Sequence, residues 1–209
     1  MVKETDIQTE EKIFKAATEV FEEKGYAAAR MQEIADRAGI NKALLHYYFR
    51  SKEQLFGAVF PPLMKKMFEK IFSIFMLDIP LEDKIRMYYE EHINIFLKNP
   101  NLPLFILNEI THNPTLLKGV VEGGLYPKMR DAIYHKHISE LKELRISKKD
   151  MTQLMISVVS LAIFPFAARD ILKILSPELG DNKYFNAFMQ ERKTFASDFV
   201  LGALKNRKK

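Results

Sequence analysis

Apolar residues recur at three- and four-residue spacing along nearly the whole chain, and no run alternates apolar with polar between turn residues. With 3.6 residues per turn, that spacing collects the apolar side chains on one face of a helix, so the pattern predicts an all-α fold. Pro, Gly and Asn clusters punctuate it. A first helix is expected over about Gln8 to Lys24, with Ile13, Phe14, Ala17, Val20 and Phe21 on one face and Gly25 as its stop. Short helices follow near Met31 to Ala38 and Asn41 to Phe49. A fourth starts at Ser51, whose hydroxyl can cap the next turn, and is expected to kink or break at Pro61-Pro62 before resuming to about Phe75, because each proline lacks an amide proton and crowds the preceding turn. Later breaks leave helices near 81 to 98, 103 to 112, 115 to 122, 127 to 144, 148 to 175 and 183 to 205.

Charge and composition exclude more than they reveal. Residues 1 to 56 hold nine Lys/Arg against ten Asp/Glu, so the overall charge of +5 is not a signature of nucleic-acid binding, and any such role must rest on local placement. Cysteine is absent, which removes disulfides and thiolate metal sites. The start "MVKETDIQTEEK" lacks a signal-peptide apolar stretch, and the run from Met155 to Ala168 is too short to span a bilayer, so a cytoplasmic protein without membrane contact is expected.

Between Met31 and Arg50 lie the parts of a helix-turn-helix. Ile34, Ala38, Ile40, Leu45 and Tyr48 can close a small core between two crossed helices, Ala35 is small where they approach, and Gly39 sits where the turn needs a positive φ. The segment "EIADRAGINKALLHYYFRSKEQLF" resembles the signature of the TetR family of bacterial transcriptional regulators. Ile34, Ala35, Ala38, Gly39, Ile40, Lys42, Leu45, Tyr48, Phe49, Ser51, Lys52 and Glu53 match or nearly match, and "AATEVFEEKGY" from Ala16 to Tyr26 is similar to the family's opening helix. The likeness covers roughly the first 56 residues.

The resemblance implies that Asn41 to Phe49 is a recognition helix. Leu45 and Phe49 then face inward, while Lys42, Ala43, His46 and Tyr47 project outward. Lys42 can donate to guanine O6 and N7, and Ala43 can meet a thymine methyl. His46, Tyr47 and Tyr48 can reach base edges or phosphates, and Lys52 resembles the family's phosphate-contacting lysine. With Arg30, Gln32, Asn41 and Leu44 these form the candidate DNA-binding set. Two positions depart from the pattern: Ala29-Arg30 stand where members often carry Thr, and Leu44 stands where a polar residue is common.

The same resemblance implies two domains, a helix-turn-helix domain over 1–52 and a larger helical effector-binding and dimerisation domain over 53–209. A homodimer would form through the last two long helices, about 148 to 175 and 183 to 205, and bind a palindromic double-stranded DNA operator. A small, largely apolar effector would release it, making the protein a repressor. Candidate effector contacts are Phe72, Met76, Tyr89, His92, Phe96, Phe105, Asn108, His112, Tyr126, Met129 and Phe164.

Two other classes of function make different demands on the sequence. A helical protein-interaction module would carry no motif in its first 56 residues. A helical-bundle metalloenzyme has one Glu-x-x-His pair to its credit, Glu109 and His112, but no second one, and His46, His92, His135 and His137 add no metal spacing. No phosphate loop or nucleophile elbow is visible, so no catalytic residue, metal or cofactor is expected.

Overall fold

The computed structural model describes residues 4–112 and 125–206, and every regular element among them is helical. In order they are α1 (Glu4–Ala28), α2 (Met31–Ala38), α3 (Lys42–Tyr48), α4 (Lys52–Met76), α5 (Leu81–Lys98), α6 (Leu102–His112), α7 (Leu125–Lys136), α8 (Ile138–Glu143), α9 (Met151–Ala167), α10 (Arg169–Leu175) and α11 (Asn182–Asn206). Single 3₁₀ turns at Lys148–Asp150 and Pro177–Gly180 precede α9 and α11. The helix expected at 115 to 122 lies outside the described residues.

The chain divides into two compact units. The first comprises the described residues of Met1–Met67 and Phe105–Gly123, the second those of Phe68–Leu104 and Gly124–Lys209. The boundary expected after residue 52 therefore falls inside the first unit, since the start of α4 and most of α6 pack with α1 to α3.

The core of the first unit is built from Ile13, Ala17, Val20 and Phe21 of α1, Ile34 and Ala35 of α2, Leu45 of α3 and Leu55, Phe56 and Phe60 of α4, all buried. Phe14 stacks against Phe49 at the rim, with ring centres 5.7 Å apart. Gly25 interrupts the helical backbone of α1 with φ 72° and ψ 167°, so the expected stop is a kink within a longer element.

The expected break at Pro61-Pro62 does not occur: α4 runs unbroken from Lys52 to Met76 with both prolines inside it. An interior proline costs about 3 kcal/mol in an isolated helix. Here tertiary packing outweighs that cost. Phe56 stacks on Phe60 at 5.2 Å, Phe105 of α6 meets both edge-on, and Met64 is buried one turn beyond the prolines. The helix is clamped on both sides of the weak point.

In the second unit α5 buries Leu81, Ile85, Tyr88, Tyr89, Ile93 and Phe96. Its neighbour α11 turns Phe185, Met189, Ala196, Val200 and Leu204 inward. Ion pairs Lys193–Glu90, Arg86–Asp198 and Lys205–Glu82, at 2.9, 2.8 and 3.0 Å, run along the seam between them.

Two helices expected as continuous are divided. The one over 127 to 144 is interrupted at His137 (φ −110°, ψ 18°), whose side chain turns inward to polar partners described below. The one over 148 to 175 is interrupted at Ala168, shortly after Pro165. Pro165 cannot donate to the Leu161 carbonyl one turn back, and that carbonyl instead accepts from Arg192 Nε at 3.0 Å. The segment Lys148–Ala167 is long and apolar enough to cross a bilayer by length and composition alone; in the fold Val158, Ala162 and Phe166 are buried in the second unit.

Candidate nucleic-acid interface

The turn between α2 and α3 is built as the sequence requires. Gly39 adopts φ 70°, ψ 31°, its amide donates to the Asp36 carbonyl at 3.1 Å, and the Ile40 amide donates to the Ala35 carbonyl at 3.0 Å. That pair of bonds closes α2 in a Schellman arrangement, which a left-handed residue makes possible. Asn41 then caps α3: its Oδ1 accepts from the Leu44 amide at 2.7 Å. The Ser51 hydroxyl caps α4 by accepting from the Gln54 amide at 3.1 Å, as expected.

These constraints fix which side of α3 is inside. Leu45 is fully buried, whereas Asn41, Lys42, Ala43 and Leu44 are exposed and Tyr47 is 81% exposed. His46 is half-buried, with Nδ1 3.3 Å from the Arg50 carbonyl, and Tyr48 is half-buried with its ring edge-on to that of Tyr47. The result is a short apolar and aromatic ridge with one cation near its N-terminal end.

Charge around this ridge is sorted by pairing. Lys24 binds Glu33 at 2.7 Å, and Arg37 binds Glu23 through two nitrogens at 2.6 and 2.8 Å, which holds the Glu23 carboxyl below its usual range. Arg30, Lys42 and Arg50 form no ion pair among the described residues. Like Lys12 and Lys15 of α1, they are exposed cations left unpaired on an acidic-balanced domain. Arg30 stands at the N-cap of α2 without a side-chain capping bond, and Gln32 in the first turn donates to Asp36 at 2.8 Å.

In the folded chain Lys52, for which the resemblance implies a phosphate contact, is held by backbone carbonyls. Its ammonium donates to the carbonyls of Tyr26, Ala27 and Ala29 at 2.7, 3.1 and 3.0 Å, which occupies all three N–H groups. It thereby ties α4 to the end of α1. Sequence reasoning also missed the partner on the other side of this junction. Glu109 of α6 is buried and its Oε1 accepts from the Tyr26 amide at 2.9 Å, a donor freed by the kink at Gly25. No pattern in the sequence signals a contact across 83 residues.

The candidate effector residues fall in both units. Phe105, Asn108 and His112 belong to the first unit, the others to the second. Phe105 is core, as described, while Asn108 and His112 are exposed, with His112 Nδ1 2.7 Å from the Asn108 carbonyl. Phe164 is 57% exposed. Those three residues face outward because α6 and α9 each bury another side. The side chain of Tyr126 lies outside the described residues. Tyr89, His92, Phe96 and Met129 are buried in the second unit, and Phe72 and Met76 are half-buried. Tyr89 donates to the Val158 carbonyl at 3.0 Å. His92 stacks on Tyr88 with centres 4.2 Å apart; its Nδ1 meets the Tyr88 carbonyl at 3.1 Å and its Nε2 is buried without a partner. Burial pushes the His92 imidazole down to about 4. Among the described residues no cluster of three or more His, Asp or Glu could hold a metal ion, and Glu109 and His112 point to different environments.

Comparison with known proteins places this geometry. Residues 13–59 match the family described as bacterial regulatory proteins, tetR family. YhgD, a helix-turn-helix transcriptional regulator of Bacillus subtilis (strain 168), is 25% identical over 128 residues, 54% of this chain and 67% of that protein. The transcriptional activator FasR of Mycolicibacterium smegmatis is 57% identical over 44 residues, 21% of this chain and 20% of that protein. Among solved structures, the transcriptional regulator FadR from Bacillus subtilis in complex with stearoyl-CoA shares the fold, with a TM-score of 0.62, 16% identity and coverage of 90% of this chain and 97% of that one. All three are transcriptional regulators by description, not enzymes.

Proposed function

We infer that this chain, a member of the TetR family of bacterial regulatory proteins, is a homodimeric repressor that binds a palindromic operator through α3 and is released by a small, largely apolar effector. The observation that carries the reading is the capped, left-handed turn at Gly39, which presents Lys42, Ala43, Leu44 and Tyr47 on a helix with nothing in the folded chain to cover them. Such a helix fits the major groove, with Lys42 donating to guanine and Ala43 and Leu44 against thymine methyls. Arg30, Gln32, Asn41, His46 and Tyr48 flank it within reach of the phosphates, and Lys52 serves by holding the α1–α2 junction.

One helix-turn-helix makes few base contacts, so a two-fold pair on two half-sites about 34 Å apart is the economical solution. Ile156 and Phe164 of α9 and Phe195 and Phe199 of α11 are large apolar side chains left 54 to 64% exposed. A second copy of the same two helices would cover them. For release, α4 contributes Lys52–Met67 to one unit and residues 68–76 to the other, so an effector that displaces its C-terminal half is positioned to disturb the DNA-reading half.

The test is selection of genomic DNA fragments by the purified full-length protein, followed by footprinting and sedimentation. The reading expects a protected palindrome bound by a dimer. A monomeric protein that protects no site would favour a helical interaction module instead.

A further inference from the structure

Lys84 of α5 is fully buried, and its ammonium has only neutral partners: the Phe75 carbonyl at 3.0 Å and His137 Nε2 at 2.8 Å. His137 Nε2 also lies 3.2 Å from the Phe75 carbonyl, but the shorter contact is with an ammonium that can only donate, so with Lys84 charged Nε2 is the accepting nitrogen and the ring proton sits on Nδ1. Nδ1 donates to Glu140 Oε1 at 2.9 Å, and Glu140 Oε2 accepts from the Leu81 amide at 2.8 Å. The acids nearby are thus already spent, Glu140 on those two donors and Asp78 on Lys136. What remains is a buried cation with no carboxylate in contact and one N–H without an acceptor among the described residues. Desolvation, with the charge of Lys136 second, holds its pKa below the usual lysine range, which marks the cost of leaving it so.

His137 stands between two spaces. On one side is an apolar cavity of about 50 Å³ walled by Phe75, Ile85, Tyr88, Leu154, Met155 and Val158. On the other is an open groove of about 400 Å³ lined by Asp78, Lys84, Lys136 and Glu140. None of the effector candidates read from the sequence lines this cavity. Everything lining the two spaces belongs to the second unit, so the arrangement is internal to it.

We propose that this is the binding site of a carboxylate-headed amphiphile, a monocarboxylic acid whose head accepts the spare N–H of Lys84 in the groove while its apolar tail passes His137 into the cavity. The head supplies the anion that the buried ammonium lacks. The tail replaces empty space with contacts, and the unbranched side chain of Met155 can re-pack to admit more of it than the resting cavity holds. This inference rests on the effector reading above and gives the effector a chemical class and a place.

Titration calorimetry on the full-length protein with acetate, hexanoate, octanoate, decanoate and decanol tests it. Affinity for the acids should rise about fourfold per methylene until the cavity is full. Acetate should give no binding, and decanol should bind at least tenfold more weakly than decanoate. Lys84→Met should bring decanoate down to the affinity of decanol while leaving decanol unchanged, which also shows that the variant is folded. Leu154→Phe, which fills the cavity, should weaken both. Equal affinity of the natural protein for decanoate and decanol, or no binding of decanoate, overturns the proposal; so does unchanged decanoate affinity in Lys84→Met. If that variant does not fold, the acid-against-alcohol comparison and Leu154→Phe decide alone. Footprinting with and without decanoate separates this from the broader reading. Decanoate that binds without altering operator affinity removes the effector role and keeps the site, whereas an operator that is bound by a protein indifferent to decanoate removes the site alone.

Discussion

The ammonium of Lys52 lies 4.6 Å from the centre of the Tyr26 ring and donates a 2.7 Å hydrogen bond to the carbonyl of the same residue. With the Ala27 and Ala29 carbonyls it closes the end of α1. Lys52→Met would strand three carbonyls at a helix end, so a loss of about 1–3 kcal/mol is expected in urea unfolding. Operator affinity should fall with it, while the salt slope stays the same because no N–H is free for phosphate. A slope reduced by about 1 would instead show that the ammonium trades its carbonyls for a phosphate.

The exposed ridge of α3 predicts the opposite partition. Lys42→Ala and Tyr47→Ala remove exposed side chains, that of Tyr47 edge-on to the Tyr48 ring, so stability should change by no more than about 1 kcal/mol. Operator binding should weaken by about 1–3 kcal/mol for each, and Lys42→Ala should also relax base preference at its contact. Binding to selected and random DNA, compared at one salt concentration, checks both.

On α11 two phenylalanines four residues apart are 64 and 61% exposed, while Phe185 is 1% exposed. Phe195→Glu and Phe199→Glu should convert a dimer into a folded monomer with unchanged helical circular dichroism. Phe185→Ala should instead cost about 3–5 kcal/mol of stability without altering association, because it opens a cavity beside Phe166 and removes the ring beneath Arg169. Sedimentation at micromolar concentration distinguishes the outcomes.

Stability below neutral pH should reflect the buried His92 and the half-buried Glu22 acting against each other. His92 is held down to about 4 from 6.5, chiefly by burial, so the unfolded chain takes up a proton below 6.5 while the folded one does not. Stability is therefore lost as pH falls from 6.5 towards 4, by up to about 3 kcal/mol. Glu22 is raised from 4.5 to about 7 by burial, with Glu19 and Glu23 adding repulsion, so its contribution is full below 4.5 and is lost as pH rises through 7. Urea midpoints between pH 4.5 and 6.5 should slope more steeply upward with pH in Glu22→Gln, and downward with pH in His92→Phe.

The split between what was readable in the chain and what was not follows the range of the interactions. Helical periodicity, the caps at Asn41 and Ser51 and the left-handed Gly39 each depend on residues within a few positions, so the all-helical fold, the α2–α3 turn and the outward side of α3 were legible. A family likeness in the first 56 residues rests on the same local determinants. The Pro61-Pro62 break was misread because the local cost of proline is overruled by Phe56, Phe60 and Phe105, and Phe105 is more than forty positions away.

The tertiary structure alone decided which charges are free and which are spent. Lys42 and Lys52 look alike as motif lysines, yet one faces water and the other is caged by carbonyls of α1. His137 is an unremarkable helix residue until Lys84, 53 positions earlier, is folded against it. The sequence by itself determined the helices, their turn and the exposed face of α3, since short-range sterics and periodicity suffice for those. Where a buried cation ends without an anion is settled by the meeting of distant segments, because desolvation is a property of the packed interior and not of any stretch of chain.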